Sequence, residues 1–520
     1  MRARPLLAAV GLVVGCQATP PGVAPTDPVR SPAGGGAEAG ASAEGGVDAG
    51  REAPDAGADA GSACLPVADT LAFAAARMRE TVAYVKRTHP TDYATYYPAF
   101  TYSSGPNLGQ WDLSPRGSAL VNSRATDWRS GYFAGAFWQL YAATGDQEML
   151  GHAKEWTAGI ESLKGTPLDY DIGGRFLRSF GDGLHLLAPA DDAGSTYRDH
   201  AREVLVQAAT TLDRRFDQSG IPVGALRSLD DYPPGPYPVY IDGMVNVPLL
   251  FEAWDVRGRP TSGPTKTLFD HGVAHSLTVL AGNVRADGSI YHIVQYNDGT
   301  SGTPRDGKVY AKITDQGYAS ESTWSRGQAW GLYGFTEVYR YTKDDPSVSP
   351  ARFLAVAEKV ADYFIAHLPN DYATDTYNQR TGDFVPPTDF DAALGEPAGP
   401  FADANHDHVF GDRRPALRTF TERDSSAAAV AASGLLELAT LASTPANRAR
   451  YLAAAESILR SLLTFRDASG KLAYLAKDSP HRGVLAGATV SWNLPQLSLM
   501  FGDYYLLEAL RRYRRARPGC

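Results

Sequence analysis

Hydrophobic and polar positions from Pro66 onward recur with the period of an α-helix, and this pattern predicts twelve helices. Some carry charged residues along one face, as expected of helices with one side in solvent, at 195–213, 348–368 and 446–465. Others are apolar or small on all faces, which indicates burial, at 130–143, 329–339 and 427–438. The predicted helices are 66–88, 129–143, 147–163, 174–187, 195–213, 240–255, 264–282, 323–342, 348–368, 424–441, 446–465 and 493–513.

The order of these helices indicates a closed ring. The even-numbered helices have the pattern of internal helices, and several odd-numbered ones have that of external helices. Six inner helices surrounded by six outer helices form an (α/α)6 barrel, so we predict this all-α fold. A stack of helical repeats would require self-similar units, which the sequence lacks. Strand-like patterning is confined to patches such as 289–294, where we expect a small hairpin beside the barrel mouth.

The first residues have the character of an export signal. A positively charged start precedes an apolar run at 6–14, which is too short to span a bilayer as a helix. The run ends in Val13-Val14-Gly15-Cys16, which resembles the bacterial lipobox, whose cysteine is acylated. We expect a signal peptide at 1–15 and a lipid anchor at Cys16, with an ordinary secretory signal as the alternative. Gln17 resembles the residue that sorts such lipoproteins to the outer membrane, so we expect an exported outer-membrane or periplasmic lipoprotein of a bacterium.

A change of composition separates the anchor from the folded part. Residues 16–65 are rich in Ala, Gly, Pro, Asp and Glu and contain no aromatic residue, which predicts a flexible tether before a catalytic domain at 66–520. Besides Cys16, the chain contains only Cys64 and Cys520. These two cysteines flank the predicted barrel, and an exported compartment permits their oxidation, so we expect a disulfide between them.

Charge and aromatic content narrow the possible partners. The formal net charge of −9, without a basic stripe, argues against nucleic acid. The 27 Tyr and eight Trp would suit stacking on sugar rings, although core packing explains them equally well.

Polar and aromatic residues stand at the starts of five even-numbered helices, and these starts should meet at one end of the barrel. An Asp at a helix start often serves as an N-cap, and this is the interpretation that we favour for Asp424. Five such starts at one mouth exceed what capping requires. A pocket lined by Trp, Arg and carboxylates suits a charged sugar. The residues concerned are Asp127-Trp128, Asp171, Asp242, 322–326 and 424–426.

Five stretches resemble the bacterial unsaturated glucuronyl hydrolases, glycoside hydrolase family 88. They follow the family's order from about Trp128 to Leu510. The stretches are STWSRGQAWGLYGF at 322–335, WRSGYF at 128–133, IDGMVN at 241–246, the run at 424–438 and FGDYYLLEAL at 501–510.

The resemblance implies roles for particular residues. Asp242 matches the family's general acid and base, and Asp171 matches its second essential carboxylate. Residues at positions where the family contacts its substrate are Trp128, His292, Gln316, Ser322, Arg326 and Trp330. The family usually has His before the second carboxylate, whereas Tyr170 stands here. That departure bears on substrate preference more than on the chemistry, because both carboxylates remain.

The implied reaction removes a terminal 4,5-unsaturated uronic acid from oligosaccharides made by polysaccharide lyases. A general acid protonates C4, water adds at C5, and the resulting hemiketal opens to release the next sugar. A second carboxylate would raise the pKa of the first by like-charge repulsion, which is the role expected of Asp171 beside Asp242. Two alternatives stay open: an unsaturated rhamnogalacturonyl hydrolase, and a surface lipoprotein that binds uronates without turnover.

One further stretch contains part of a calcium-binding motif. Asp403, Asn405 and Asp407 imitate the start of a calcium loop, but His408 occupies the position of the turn Gly and Arg414 that of the bidentate Glu. We therefore expect neither a metal nor another cofactor. We also expect the long loop at 378–422, which contains these residues, to shape the substrate entrance.

Overall fold

The computed structural model describes residues 64–113, 123–167, 170–217, 223–229, 235–369, 382–392, 422–490 and 495–520. The signal peptide, Cys16, all but the end of the tether and the Asp403–Arg414 motif lie outside these residues. Residues Ala63–Cys520 cluster as one compact unit.

Twelve helices run through the described ranges in the predicted order. Their bounds are α1 Val67–Thr88, α2 Ser130–Thr144, α3 Gln147–Ile160, α4 from Ile172 to Leu186, α5 Tyr197–Asp213, α6 Pro248–Asp255, α7 Pro264–Asn283, α8 Ser325–Thr342, α9 Ala351–Ala366, α10 Ser425–Leu441, α11 Pro445–Thr464 and α12 Met500–Ala516. Helix α4 consists of Ile172–Phe176, a π-helical turn at Leu177–Gly181 and Asp182–Leu186. Short 3-10 turns lie at Tyr93–Thr95, Glu161–Gly165, Pro189–Asp192, Ile241–Val245 and Pro346–Val348.

The even-numbered helices form a closed inner ring. Each of α2, α4, α6, α8 and α10 contacts the next even-numbered helix, and α12 returns to α2. Almost every residue of α10 from Ser425 to Ala439 is buried, whereas α5 buries one stripe that includes Ala201, Leu205 and Leu212. A helix surrounded by other helices has no solvated side, which explains why α10 is apolar all round. The predicted (α/α)6 barrel is confirmed.

Two predicted helix starts were wrong. The twelfth helix begins at Met500 and not at 493, because Leu497 and Leu499 form antiparallel bridges with Ala488 and Phe100. The sixth predicted helix, at 240–255, is divided into the end of a strand, the turn Ile241–Val245 and α6.

A three-stranded antiparallel sheet lies in the order β1 Tyr237–Tyr240, β2 Ile293–Tyr296 and β3 Val309–Ile313. The strand expected at 289–294 begins at Ile293. It forms an antiparallel hairpin with β3, as expected, and β1 extends this hairpin to three strands. The sheet positions the site, because β1 leads directly into the turn Ile241–Val245, His292 precedes β2, and Thr314 follows β3.

Backbone contacts through glycines bring the inner helix starts together. A Cβ added to Gly173 would lie 2.2 Å from the backbone oxygen of Asn246, and one added to Gly131 would lie 2.4 Å from that of Arg175. Only glycine permits this approach, which sets α2, α4 and the segment before α6 against one another.

The two ends of the described chain are covalently joined. Cys64 and Cys520 form a disulfide with their Cα atoms 5.2 Å apart, so the predicted pairing is confirmed. Across the described ranges, no helix is both long and apolar enough to cross a membrane.

Candidate active site

The predicted site residues come together at the starts of the inner helices. Trp128 precedes α2, Asp171 precedes α4, Asp242 lies in the turn before α6, and Arg326 lies in the first turn of α8. Phe501 lies at the start of α12, and the centroid of its ring is 5.4 Å from that of Trp128. The guanidinium carbon of Arg326 lies 5.5 Å from the centroid of the Phe501 ring. The predicted convergence on one mouth is thus seen in the structure.

Asn246 links the two candidate carboxylates. Its Nδ2 donates to Asp171 Oδ1 at 3.0 Å and to the backbone oxygen of Asp242 at 3.2 Å. Its Oδ1 accepts a hydrogen bond from the backbone N–H of Gly174 at 2.5 Å, so the amide orientation is fixed. Asn246 therefore sets the relative position of Asp171 and Asp242, a role that the sequence did not indicate although Asn246 closes the IDGMVN motif.

Asp242 has the properties of a general acid. Its side chain is 19% exposed, and burial raises its pKa to about 6 although the Arg326 cation lowers it. Its Oδ2 is buried, makes no hydrogen bond within the described part of the chain and lies 3.7 Å from His292 Nε2. A carboxyl with such a pKa can give a proton and take one back near neutral pH.

Burial, and not Asp171, is the main cause of this shift. The expectation that like-charge repulsion from Asp171 raises the pKa of Asp242 is therefore not what the structure indicates. Asp171 instead has its carboxylate held by Asn246.

His292 stands between Asp242 and a carboxylate that the sequence did not single out. His292 Nε2 lies 3.7 Å from Asp242 Oδ2, and His292 Nδ1 lies 3.0 Å from Asp315 Oδ1. Burial, and then repulsion from Asp242, raise the pKa of Asp315 to about 7. The only sequence signal for Asp315 was its position before Gln316.

Arg326 is bound by the protein itself. It donates to Asp424 Oδ2 at 2.6 Å, to Gln316 Oε1 at 2.6 Å and to the backbone oxygen of Val490 at 2.6 Å, and a fourth bond goes to the backbone oxygen of Thr489. Its side chain is only 4% exposed. Arg326, expected at a substrate-contact position, therefore pairs with a carboxylate of the protein in this structure.

Asp424 has the capping role that we favoured. Its side chain accepts hydrogen bonds from the backbone N–H groups of Ser426 and Ala427 at the start of α10. Ser322, also predicted to contact substrate, is buried and donates to Asp389 Oδ2 at 2.7 Å.

The two tryptophans expected to contact the substrate differ in exposure. Trp128 is half-buried, with the edge of Tyr132 against it at 6.2 Å between ring centroids. Trp330 is 2% exposed and packs between Phe501 and Tyr505, so it supports the floor of the mouth from below. Trp128 is thus the better placed of the two to meet a sugar ring.

Tyr170, which replaces the family's usual His, is buried 6.1 Å from the ring of Tyr240. Burial and the neighbouring charges of Asp171 and Asp242 raise its pKa well above the ordinary value, so the phenol stays neutral. In the ranges that the structure covers, no three His, Cys, Asp or Glu side chains are grouped as metal ligands.

An (α/α)6 barrel with paired carboxylates in an aromatic-lined mouth is an arrangement of glycoside hydrolases, and the comparisons with known proteins agree. The chain is 33% identical over 418 residues to an unsaturated glucuronyl hydrolase of Formosa agariphila, covering 79% of this chain and 86% of that protein. It therefore belongs to the unsaturated glucuronyl hydrolases, glycoside hydrolase family 88, and is a glycoside hydrolase.

Further relatives agree with this assignment. An unsaturated chondroitin disaccharide hydrolase of Streptococcus pyogenes is 27% identical, with 75% of this chain and 81% of that protein covered. A crystal structure of an unsaturated glucuronyl hydrolase specific for heparin superposes with a TM-score of 0.62 and 27% identity, covering 86% of this chain and 98% of that one. No protein-family model matches the chain.

Proposed function

We propose that this protein hydrolyses oligosaccharides that carry a 4,5-unsaturated uronic acid at the non-reducing end, with Asp242 as general acid and base. The observation that carries the proposal is the buried carboxyl of Asp242, whose pKa is raised to about 6 and whose Oδ2 accepts no hydrogen bond from any described group. Membership of the unsaturated glucuronyl hydrolases supports the choice of substrate.

The reaction begins at the double bond. An enol ether conjugated to a carboxylate is protonated at C4 by Asp242, and positive charge develops at C5. Water adds at C5 and gives its proton to the carboxylate of Asp242, which restores the acid. The product is a hemiketal that opens and releases the next sugar, so one water is consumed and the anomeric carbon is never displaced.

The other residues bind and orient the substrate in this proposal. Asp171, fixed by Asn246, faces the ring hydroxyls or the attacking water as a hydrogen-bond acceptor. The ring of Trp128 provides a stacking surface. The pocket is completed by the other residues at substrate-contact positions, two of which, Arg326 and Gln316, are hydrogen-bonded to each other. These residues are His292, Gln316, Ser322, Arg326 and Trp330.

The names of relatives indicate which substrates to test first. One relative is a chondroitin disaccharide hydrolase, and another is a glucuronyl hydrolase specific for heparin. We infer that this protein acts on uronate disaccharides of the glycosaminoglycan type, made by lyases.

The mechanism is tested by isotope labelling. Turnover should abolish the ultraviolet absorbance of the conjugated double bond, and in heavy water the uronate fragment should carry deuterium at C4. In oxygen-labelled water, the label should enter at C5 and not at the reducing end of the released sugar. Saturated disaccharides serve as the control and should be inert. Solvent oxygen at the anomeric carbon of the departing uronate would show an ordinary displacement instead.

We also propose that the protein is exported and anchored by a lipid at Cys16. The sequence Val13-Val14-Gly15-Cys16 behind a short apolar run supports this proposal. Expression of the full chain in a bacterium with labelled fatty acid should label the protein, and Cys16→Ser should prevent labelling. Equal labelling of both proteins would refute the anchor.

A further inference from the structure

The ring of His292 is held in one orientation by its neighbours. Its side chain is only 1% exposed, with the ring of Trp324 at 4.4 Å and the edge of Tyr240 at 5.2 Å between centroids. The ring cannot turn without displacing these aromatic side chains, so each nitrogen keeps its own neighbour.

Those neighbours are two carboxyl groups. His292 Nε2 faces Asp242 Oδ2 at 3.7 Å, and His292 Nδ1 faces Asp315 Oδ1 at 3.0 Å. Contacts between catalytic groups are often long in the absence of substrate and tighten when it binds. Asp242, His292 and Asp315 therefore form a continuous line of groups that can each gain or lose a proton.

The surroundings of Nδ1 suit both of its protonation states. The hydroxyl of Thr314 lies 3.1 Å from Nδ1 and can either donate or accept. The backbone N–H of Asp315 points at the same nitrogen from 3.4 Å and suits the unprotonated state, whereas the Asp315 carboxylate suits the protonated one. Nδ1 therefore has a neighbour suited to it whether or not it carries the proton.

We propose that Asp315 is a positioning residue that acts on Asp242 through His292, as the far end of a proton relay. This inference rests on the proposed function. In one state Asp315 is protonated and donates to Nδ1, Nε2 carries the hydrogen, and Asp242 is a carboxylate. In the other, the Asp315 proton has moved to Nδ1, the Nε2 proton has moved to Asp242, and Asp315 is the carboxylate. One proton is lost and one gained at each step, so the ring stays neutral.

The titration of the two carboxyls agrees with this relay. Their pKa values are raised to about 6 for Asp242 and about 7 for Asp315, in both cases chiefly by burial. One proton therefore remains on the line up to about pH 7, and the relay makes that proton available to Asp242.

The other ionisable groups near the line are two tyrosines with raised pKa values and groups that have partners of their own. Arg326 is paired with Asp424. Burial raises the pKa of Tyr132 to about 12, and it raises the pKa of Tyr170 well above its ordinary value. Tyr240 contacts the His292 ring, and Asp171 is held on the other side by Asn246.

The test is the pH profile of kcat for the full-length protein with an unsaturated chondroitin disaccharide. Asp315→Asn keeps the side-chain shape but cannot supply a proton. We expect the alkaline limb to move from about pH 7 towards about pH 6, with about a tenfold loss of kcat at pH 7.5. KM, and kcat at pH 5, should change less than threefold. Glu321→Gln removes an exposed carboxylate of the same segment and should leave the profile unchanged.

A double mutant tests the route through the imidazole. His292→Gln should move the alkaline limb by a similar amount, and adding Asp315→Asn should move it no further. An unmoved limb in Asp315→Asn, or a uniform loss at every pH, would overturn the relay and leave the proposed function standing. A wild-type protein without turnover would overturn both.

Discussion

Replacing Asp242 with Asn should abolish turnover and at the same time stabilise the fold at neutral pH. Burial raises the pKa of Asp242 to about 6, whereas an aspartate in an unfolded chain has a pKa of about 3.9. The folded protein therefore binds this proton more tightly than the unfolded chain does. That contribution is fully present below about pH 4 and is lost as pH rises through about 6, where the folded protein must bury a charge.

The size of the effect follows from the difference between the two pKa values. At pH 7.5 the wild type has lost about 3 kcal/mol of free energy of unfolding because it buries the charged carboxylate. The Asn variant is neutral at every pH and keeps this free energy. Unfolding entropy near 60 °C is about 2.1 cal/mol/K per residue, so in a barrel of about 450 residues this is a rise in Tm of about 3 °C. At pH 4 the variant and the wild type should unfold together.

The assay combines thermal unfolding at pH 4 and pH 7.5 with turnover measured by loss of the double-bond absorbance. Turnover should fall by about 10²–10⁴, as expected when a general acid is removed. Asp199→Asn, on outer helix α5 with a side chain that is 82% exposed, is the matched control and should change neither quantity. This prediction would be wrong if the variant kept half its activity, or if its Tm at pH 7.5 equalled that of the wild type.

Two substitutions outside the catalytic groups test the packing. Gly243→Ala would place a Cβ 2.9 Å from Nε2 of the fully buried His275, so the turn must shift and move Asp242 with it. We expect kcat to fall about tenfold while the circular dichroism spectrum stays unchanged, and full activity would contradict this. Cys64→Ser removes the disulfide to Cys520, which closes a loop of 456 residues. We expect the free energy of unfolding, measured by denaturant titration, to fall by about 2–4 kcal/mol while kcat stays the same. Unchanged stability would contradict this.

The architecture could be predicted because the number of buried faces of each helix determines its pattern of apolar residues. An inner helix such as α10 has no solvated side and is apolar all round, whereas α5 needs only one buried stripe. Helix starts were predicted less well. Leu497 and Leu499 could belong to a helix or to a bridged strand, and their partners Ala488 and Phe100, of which Phe100 is distant in sequence, decide for the bridge.

The site was predicted only in part, because the spacing of residues along the chain does not show which of them lie close together in the fold. Asp242 and Asp171 were candidates because of their positions at helix starts, and the resemblance to the family implied their roles. Asn246 and Asp315 were missed, since what distinguishes them is a bond to Asp171 in one case and to His292 in the other. No pattern within a single loop reveals such pairs.

Arg326, in the family's signature motif at 322–335, also has a structural role that the resemblance did not imply. Arg326 joins Gln316, the cap of α10 at Asp424 and the backbone at Thr489 and Val490, so four separate segments meet at one guanidinium. A ring of six inner helices has its starts on different loops, and a mouth with a defined shape requires bonds between those loops. A planar cation with five donors can make them where a lysine cannot. The chemistry can then rest on Asp242, because the residues around it are occupied in holding its pocket open.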